Sequence, residues 1–370
     1  MSTGDLGVNV RLHKLGSKFD GEFPHFSRPD PIGFYSVDEA GEFQDNASNL
    51  TYLRLPHISS LPLDLNAGIE KVQRKRIDSD YRDIFQLCQY IYNHQELLRK
   101  SSTGCLVLSA DFVTLRGILR QIMCTPYEIN GDYRLMATRL NGTIYISKMQ
   151  TDEHIKREQL SRKMKNMCSW GFKFEQYCST SNPAVAPDTN EPVNEAKEFA
   201  CIFRSKLNGL RLMYCAEMDC IKSDVQMNLS DPKQLRAAEF IELKTTTNKM
   251  NGYCRSLFNN YKSCNWWSQS FLVGIATIIA GKRDNKGLTH VIQEYSVGEL
   301  HRNKPWSAAA MTIFLSDFLH ALKTLMEHID DPHAVLMLEY KDNQKKVMYT
   351  VIEDEPLLPE WYRQLMHGKK

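Results

Sequence analysis

The sequence predicts an α+β fold, a single domain over residues 1–370 with mixed, strongly twisted β-sheets flanked by helices. Three observations predict it. Apolar residues recur at helical spacing in some segments and with a period of two in others. The pair Asn208-Gly209 joins two period-two runs as a tight hairpin turn. No repeat, low-complexity tract or linker divides the chain. With 42% hydrophobic and 24% charged residues among 370, the chain has the material for a large core, and disordered and fibrous classes are excluded.

The first 80 residues are rich in Pro, Gly, Asp and Asn, as in "RPDPIGFYSVDEAGEFQDNASNLTYLRLP". They read as extended segments and turns, a loop-rich part packed on a core at 100–300. Ile84, Leu87, Cys88 and Ile91 recur at helical spacing in "IDSDYRDIFQLCQYIYNHQ". A second helix is predicted over "SADFVTLRGILRQIMCTP", with Ser109 or Asp111 as N-cap, Phe112, Leu115, Leu119 and Ile122 as its apolar stripe and Pro126 as its stop.

The period then changes to two. "GTIYISKM", "WGFKFEQYC", "EFACIFRSKLNGLRLMYCAEMDC" and "AEFIELKT" read as strands, the third folding back at Asn208-Gly209 between 199–206 and 210–220. "STSNPAVAPDTNEPVNEAKE" reads as a surface loop. "NWWSQSFLVG" is expected to be a helix ended by Gly274, and "ATIIAGKRD" and "THVIQEYSV" strands around a turn at 284–287. Residues 305–326 read as a long helix capped by Asn303, and 334–353 as a final hairpin turning at 341–343.

A formal charge of +2 and a pI near 8.0 leave no room for a nucleic-acid site built on net charge, so any polyanion site must be a local patch. The longest clean apolar run, 271–280, is about half of the roughly 20 residues a spanning helix needs, and no secretory leader opens the chain; no membrane partner is expected. Ten scattered cysteines form neither a C-x-x-C pair nor a zinc-spaced cluster with His, which points to reduced thiols in cytosol or nucleus.

The chemistry is concentrated in "AEFIELKT". Residues two apart on a strand share a face, so Glu242 and Lys244 point one way while Ile241 and Leu243 point into the core. "CAEMDC" repeats the device with Glu217 and Asp219. Each pair alone is commonly a solvated face of a sheet. On neighbouring strands they would converge three carboxylates and one ammonium. Such carboxylates repel one another unless a cation neutralises them. Hard oxygen donors without His or Cys select Mg²⁺ or Mn²⁺ over zinc, and Lys244 beside them can orient or help deprotonate an attacking water. An Asp followed after about 22 residues by E-x-K is also the spacing of the PD-(D/E)xK nuclease superfamily.

Further stretches extend that likeness. "VTLRG" with Arg116, "GFKFE" ending in Glu175, "EMD" at 217–219, "ELK" at 242–244 and "NWWSQSFLVG" resemble, in order, the motifs of the DXO decapping exonuclease family. The N-terminal "RPDPIGFYSVDEAGEF" and the late "IIAGKRD" are similar to family segments too. The resemblance implies a PD-(D/E)xK-like nuclease core and an RNA 5′-end quality-control hydrolase using two Mg²⁺ or Mn²⁺ ions. Its expected actions are removal of a 5′ triphosphate, an unmethylated cap or an NAD cap, and 5′-to-3′ exoribonuclease activity. It assigns Glu175, Asp219 and Glu242 to the metals with Leu243, places Glu217 on them through water, gives Lys244 the nucleophile, Gln269 the scissile phosphate region and Arg116 the substrate's phosphates.

The resemblance also implies nuclear residence, with the cytoplasm as a second address, and a nuclear 5′-to-3′ exoribonuclease as protein partner. Two other readings remain: a DNA-end nuclease of the same superfamily, and a mainly non-catalytic partner of that exoribonuclease. Among the remaining features, "QRKR" at 73–76 is a candidate RNA contact or import signal, and Lys262, Lys282 and Arg283 are candidates for a phosphate path. One of Trp266 and Trp267 is expected in the core and the other is a candidate for base stacking.

Overall fold

A strand flanked on both sides has to bury both of its faces, so continuous apolar runs mark the middle of sheets. The computed structural model describes residues 2–11, 13–75, 84–128, 131–149, 159–249, 251–352 and 356–368. In chain order its strands are β1 (Thr3–Asp5), β2 (Asp30–Val37), β3 (Phe43–Gln44), β4 (Tyr52–Leu53), β5 (Leu63–Asp64), β6 (Leu98–Lys100), β7 (Leu106–Leu108), β8 (Phe112–Leu115), β9 (Tyr133–Leu140) and β10 (Thr143–Met149). The second half adds β11 (Ser179–Thr180), β12 (Glu198–Leu207), β13 (Leu210–Glu217), β14 (Cys220–Ile221), β15 (Phe240–Thr247), β16 (Thr277–Arg283), β17 (Leu288–Ser296), β18 (Val335–Lys341) and β19 (Lys346–Ile352). The helices are α1 (Ile84–Asn93), α2 (Arg116–Cys124), α3 (Arg162–Cys178), α4 (Pro232–Ala237), α5 (Gly252–Leu257), α6 (Ser263–Phe271), α7 (Val297–Leu300), α8 (Ala308–Leu325) and α9 (Glu360–Met366).

Among these residues one sheet runs β1-β19-β18-β9-β10-β8-β13-β12-β2-β3 and a second β11-β4-β14-β15-β16-β17-β5. Both are mixed: β8 lies parallel to β10 and to β13, and β15 parallel to β16, while the hairpins are antiparallel. The β12–β13 hairpin turns at Asn208 and Gly209, whose φ values of 45° and 85° are the left-handed pair that favours Asn-Gly. The chain leaves the first sheet at the end of β13 and enters the second at β14, so residues 218–219 bridge the two.

Three helices fill the space between the sheets. Ile118 and Leu119 of α2, Trp266 and Trp267 of α6, and Phe314, Leu315, Phe318 and Leu322 of α8 share one core with Leu135 and Leu212 of the first sheet and Phe240, Ile278 and Ala280 of the second. Each fully buried Leu or Phe is worth roughly 1.5–3 kcal/mol, so this layer binds the sheets together. By length and composition α8 could cross a membrane, but its apolar side chains fill this central layer. On the outer faces, α1 and α9 cover the first sheet, and α3 covers the second through Trp170, Phe174 and Cys178.

Several expectations are corrected. "WGFKFEQYC" is the second half of α3, not a strand: Trp170, Phe174 and Cys178 repeat every four residues and bury together, and Ser161 caps the helix. Residues 112–115 are the strand β8, buried between β10 and β13, and α2 begins only at Arg116. Asp111 therefore caps nothing; its carboxylate accepts from the Arg211 backbone N–H and pairs with Arg211 and Lys323. The cap of α8 is Ser307, which accepts from the Ala310 N–H, while Asn303 sits in a left-handed turn before it. β13 stops at Glu217, so Asp219 is not on its face. Residues 77–83 of the first expected helix and Glu353 of the last hairpin lie outside the described residues.

Gly281 on β16 shows how closely α3 is packed. A Cβ there would lie 2.6 Å from the ring of Phe174, which is fully buried. Gly281→Ala should therefore cost about 1–3 kcal/mol in urea unfolding and weaken divalent-ion binding through the displaced neighbour Glu175. An unchanged midpoint would show that α3 yields freely.

Candidate active site

Glu242 lies on the face of β15 turned toward the central helices, and only 1% of it is exposed. A buried carboxylate needs donors, and three elements supply them. Arg116, the first residue of α2, donates from Nη1 to Oε2 at 3.2 Å; Gln269 of α6 donates from Nε2 to Oε1 at 2.7 Å; and Lys244, next on the same strand face, pairs with Oε1. Burial pushes the Glu242 carboxyl up, but the Lys244 and Arg116 charges and hydrogen bonds outweigh it and hold it below the usual value. Burial likewise pulls the Lys244 ammonium down, and Glu242 and Asp219 more than offset this, so Lys244 keeps its proton above the ordinary lysine range. α2 and α6 are held together by the Arg120–Asn265 side-chain bond and by Cys124 Sγ against Ser268 Oγ at 3.2 Å.

Asp219 arrives on the link between the sheets. Its Oδ2 accepts from the Leu243 N–H at 2.6 Å, and its own carbonyl accepts from Thr51 Oγ1 at 2.6 Å. Burial and then the Glu242 charge raise it to about 7. Glu217, which water reaches at the end of β13 deep between the cleft walls, is raised to about 8 by that enclosure and by the charges of Glu198 and Asp219. Glu175, one turn from the end of α3, is also raised well above the usual carboxylate range, by burial and then by Asp219 and Glu217. Glu175, Glu217 and Asp219 line one cleft of about 620 Å³, together with Asp188, Glu191 and Glu198 and, among the described residues, a single cation, Lys197.

Four carboxylates with hard oxygen donors fit Mg²⁺ or Mn²⁺, because a divalent cation removes the repulsion that raises Glu175, Glu217 and Asp219. Among the described residues no three of them close to ligand distance of one point. The oxygens of Glu242 are instead turned to Arg116, Lys244 and Gln269.

Over residues 27–363 the chain matches the family model described as RAI1 like PD-(D/E)XK nuclease. It belongs to that nuclease family. It is 45% identical to the decapping and exoribonuclease protein Rai1 of Drosophila melanogaster, over 99% of this chain and 98% of that protein. It is 28% identical to the decapping and exoribonuclease protein of Xenopus laevis, over 95% and 89%. Candida albicans Rai1, solved in complex with pU5-Mn²⁺, has the same fold, with a TM-score of 0.83 at 20% identity over the whole of both chains. Scheffersomyces stipitis Rai1 in complex with (3'-NADP)⁺ and calcium ion gives 0.79 at 18% identity, again over both whole chains.

The fold of this RAI1-like nuclease thus brings Arg116, Glu175, Glu217, Asp219, Glu242, Lys244 and Gln269 to one region from five elements and a link. Leu243 contributes only backbone: its side chain is buried against α3 and its N–H is held by Asp219. Trp266 and Trp267 are both in the central core, Trp267 stacked on Phe271 at 4.6 Å, so neither offers a free face. Arg283 lies over the Trp170 ring on the α3 side of the sheet, away from the Glu242 face. In "QRKR", Arg74 bonds to Asn166 and Lys75 to Glu198, and Arg76 lies outside the described residues.

Glu198 and Thr51 were not among the predicted residues. The hairpin register could have found Glu198, because Glu217 pairs with Ala200 and Glu198 is the next residue on that face. Nothing in "NLTYLRL" marks Thr51. Since Asp219 and Glu217 must lose protons to accept a cation, Mn²⁺ binding at pH 6.5 should release protons, and affinity should climb until about pH 8. Calorimetry in two buffers of different ionisation enthalpy measures this; equal heats in both would mean that the carboxylates are already ionised.

Proposed function

We propose that this chain is a divalent-metal-dependent hydrolase that removes aberrant 5′ ends from RNA, bearing a triphosphate, an unmethylated cap or an NAD cap, and then degrades the RNA 5′-to-3′. The observation that carries it is the buried Glu242, held by Arg116, Lys244 and Gln269 beside three further carboxylates at the end of an open cleft. The full-length relatives named decapping and exoribonuclease proteins support the reaction class, and the pU5-Mn²⁺ complex of the Candida albicans relative supports RNA and a divalent ion as ligands.

Glu175, Asp219 and Glu242 with the Leu243 carbonyl would hold two ions, Glu217 reaching them through water. Such ions, when bound, neutralise phosphate charge and make a water acidic enough to attack at neutral pH. Arg116 and Gln269 already converge on one Glu242 carboxylate, so their remaining N–H groups are positioned to meet a phosphate in the same place. Lys244, kept protonated by Glu242 and Asp219, acts as a fixed positive charge that orients the nucleophile and stabilises the charge developing on the reacting phosphate. A single centre of this kind would serve every 5′ end, because each offers a phosphorus–oxygen bond that Arg116, Gln269 and Lys244 would position in the same place.

The reading extends to a nuclear address and to a stabilising contact with a separate nuclear 5′-to-3′ exoribonuclease; co-purification from a nuclear fraction tests both. For the reaction, a panel of 5′-labelled RNA and DNA with Mn²⁺ is the direct experiment, and cleavage of DNA ends alone would favour a DNA nuclease.

Asp219→Ala and Glu242→Ala should each take decapping and exonuclease turnover to background together; survival of either activity would separate their centres. Lys244→Met should lower kcat about 10²–10³-fold with RNA affinity little changed, and a loss confined to affinity would reduce Lys244 to a phosphate contact. Circular RNA should resist cleavage that linear RNA of the same sequence undergoes, because the cleft end accepts a terminus. Equal rates would make the site an endonuclease groove.

A further inference from the structure

The sheet face that carries Glu242 and Lys244 continues beyond them. Thr246 is next on it, about 7 Å past Lys244 along the strand, and its partner on β16 is Lys282. Helices α5 and α6 roof this face. Gln269 meets Glu242, and ten and eleven residues earlier Asn259 and Phe258 line a cleft of about 240 Å³ over Thr246, Lys282 and Tyr295. Between α5 and α6 the roof widens into a π turn at Phe258–Lys262, where the Ser263 N–H bonds back to the Phe258 carbonyl. Such turns insert an extra residue into a helix and are frequent at functional sites.

Charge distinguishes this cleft from the one at the carboxylates. Lys249, Arg255 and Lys282 line it and no Asp or Glu does; among the described residues none of the three has an ion-pair partner. Beyond the carboxylates assigned to the ions, the other cleft carries Asp188, Glu191 and Glu198 against, among the described residues, Lys197 alone, so a polyanion held at Glu242 is repelled along that wall and attracted along this one. Phe258 and Tyr295, 5.9 Å apart, add aromatic surface to its lining.

We infer that Lys249, Arg255 and Lys282 form a downstream subsite that holds the phosphates of the nucleotides following the reacting 5′ end of a single-stranded RNA. This rests on the 5′-end hydrolase reading and adds to it a direction of RNA travel, along β15 from Glu242 past Lys244 and Thr246.

The test compares wild type with K249Q/R255Q/K282Q and K249E/R255E/K282E in the full chain with Mn²⁺, on a 5′-phosphorylated dinucleotide and a 5′-phosphorylated U15. Thermal melting screens both variants for folding, and the neutral one stands in if the charge-reversed one fails. Expected are a KM for U15 raised at least tenfold, kcat within twofold of wild type, and dinucleotide kinetics within twofold. Three lost contacts at ~0.7 each should also flatten the slope of log affinity against log salt by about 2. An unchanged KM on U15, or equal losses on both substrates, overturns the subsite. So does a KM rise confined to a 5′-capped U15 run beside them, which would give the cleft to the leaving group. Binding of 3′-fluorescein-labelled U15 is read by anisotropy without turnover. Equal Kd for wild type and the neutral variant overturns the subsite by itself, whereas absence of cleavage by wild type overturns the hydrolase reading.

Discussion

A carboxylate with almost no exposed surface, Glu242, is the constraint on which this molecule is organised. An unpaired charge at that depth would be strongly destabilising, so the chain has to deliver donors to it from several directions at once. Arg116 comes from the first turn of α2, Gln269 from the last turn of α6, and Lys244 from the same strand. Both helices belong to the layer between the sheets, and that layer is anchored by apolar contacts to both. The core and the site therefore depend on each other. Moving either helix opens a cavity in the core and strips a donor from Glu242.

The other carboxylates are treated in the opposite way. Glu242 is compensated by protein cations and held ionised, whereas Glu175, Glu217 and Asp219 face one another across a cleft with too little positive charge to keep them so. Asp219 joins the two regimes, since its carboxylate takes the Leu243 N–H while its side chain faces the cleft. A site half satisfied by protein and half dependent on external cations is what a metal-dependent phosphate chemistry requires: rigid enough to place the ligands, open enough to exchange ions and substrate. The basic cleft farther along β15 complements it, giving a polyanion a favourable direction in a protein of nearly zero net charge.

Much of this was legible in the residues. Asn208-Gly209 carries its own turn geometry, and both of its left-handed φ values are present. "ELK" could be read as a strand with Glu242 and Lys244 on one face because the period-two rule needs no tertiary information, and the two side chains do meet. The segment carrying Glu175 could not be read that way. Trp170, Phe172 and Phe174 alternate, but Trp170, Phe174 and Cys178 also recur every four residues, and a nine-residue window satisfies both periods. Residues 112–124 failed differently: a strand and a helix abut with no Gly, Pro or side-chain cap between them, so nothing local marks the junction at Arg116.

By itself, then, the sequence determined the α+β class, the hairpins, and which charged residues interrupt apolar strands, because those follow from local periodicity and turn chemistry. Only the tertiary structure decided that the chain passes between two sheets just before Asp219, that α3 brings Glu175 to the same cleft from the far side of the second sheet, and that Arg116 and Gln269 share one carboxylate. These are meetings of residues separated by 27 to 126 positions. They are set by how the apolar faces of helices and sheets fit together, and no pattern confined to one segment encodes that fit.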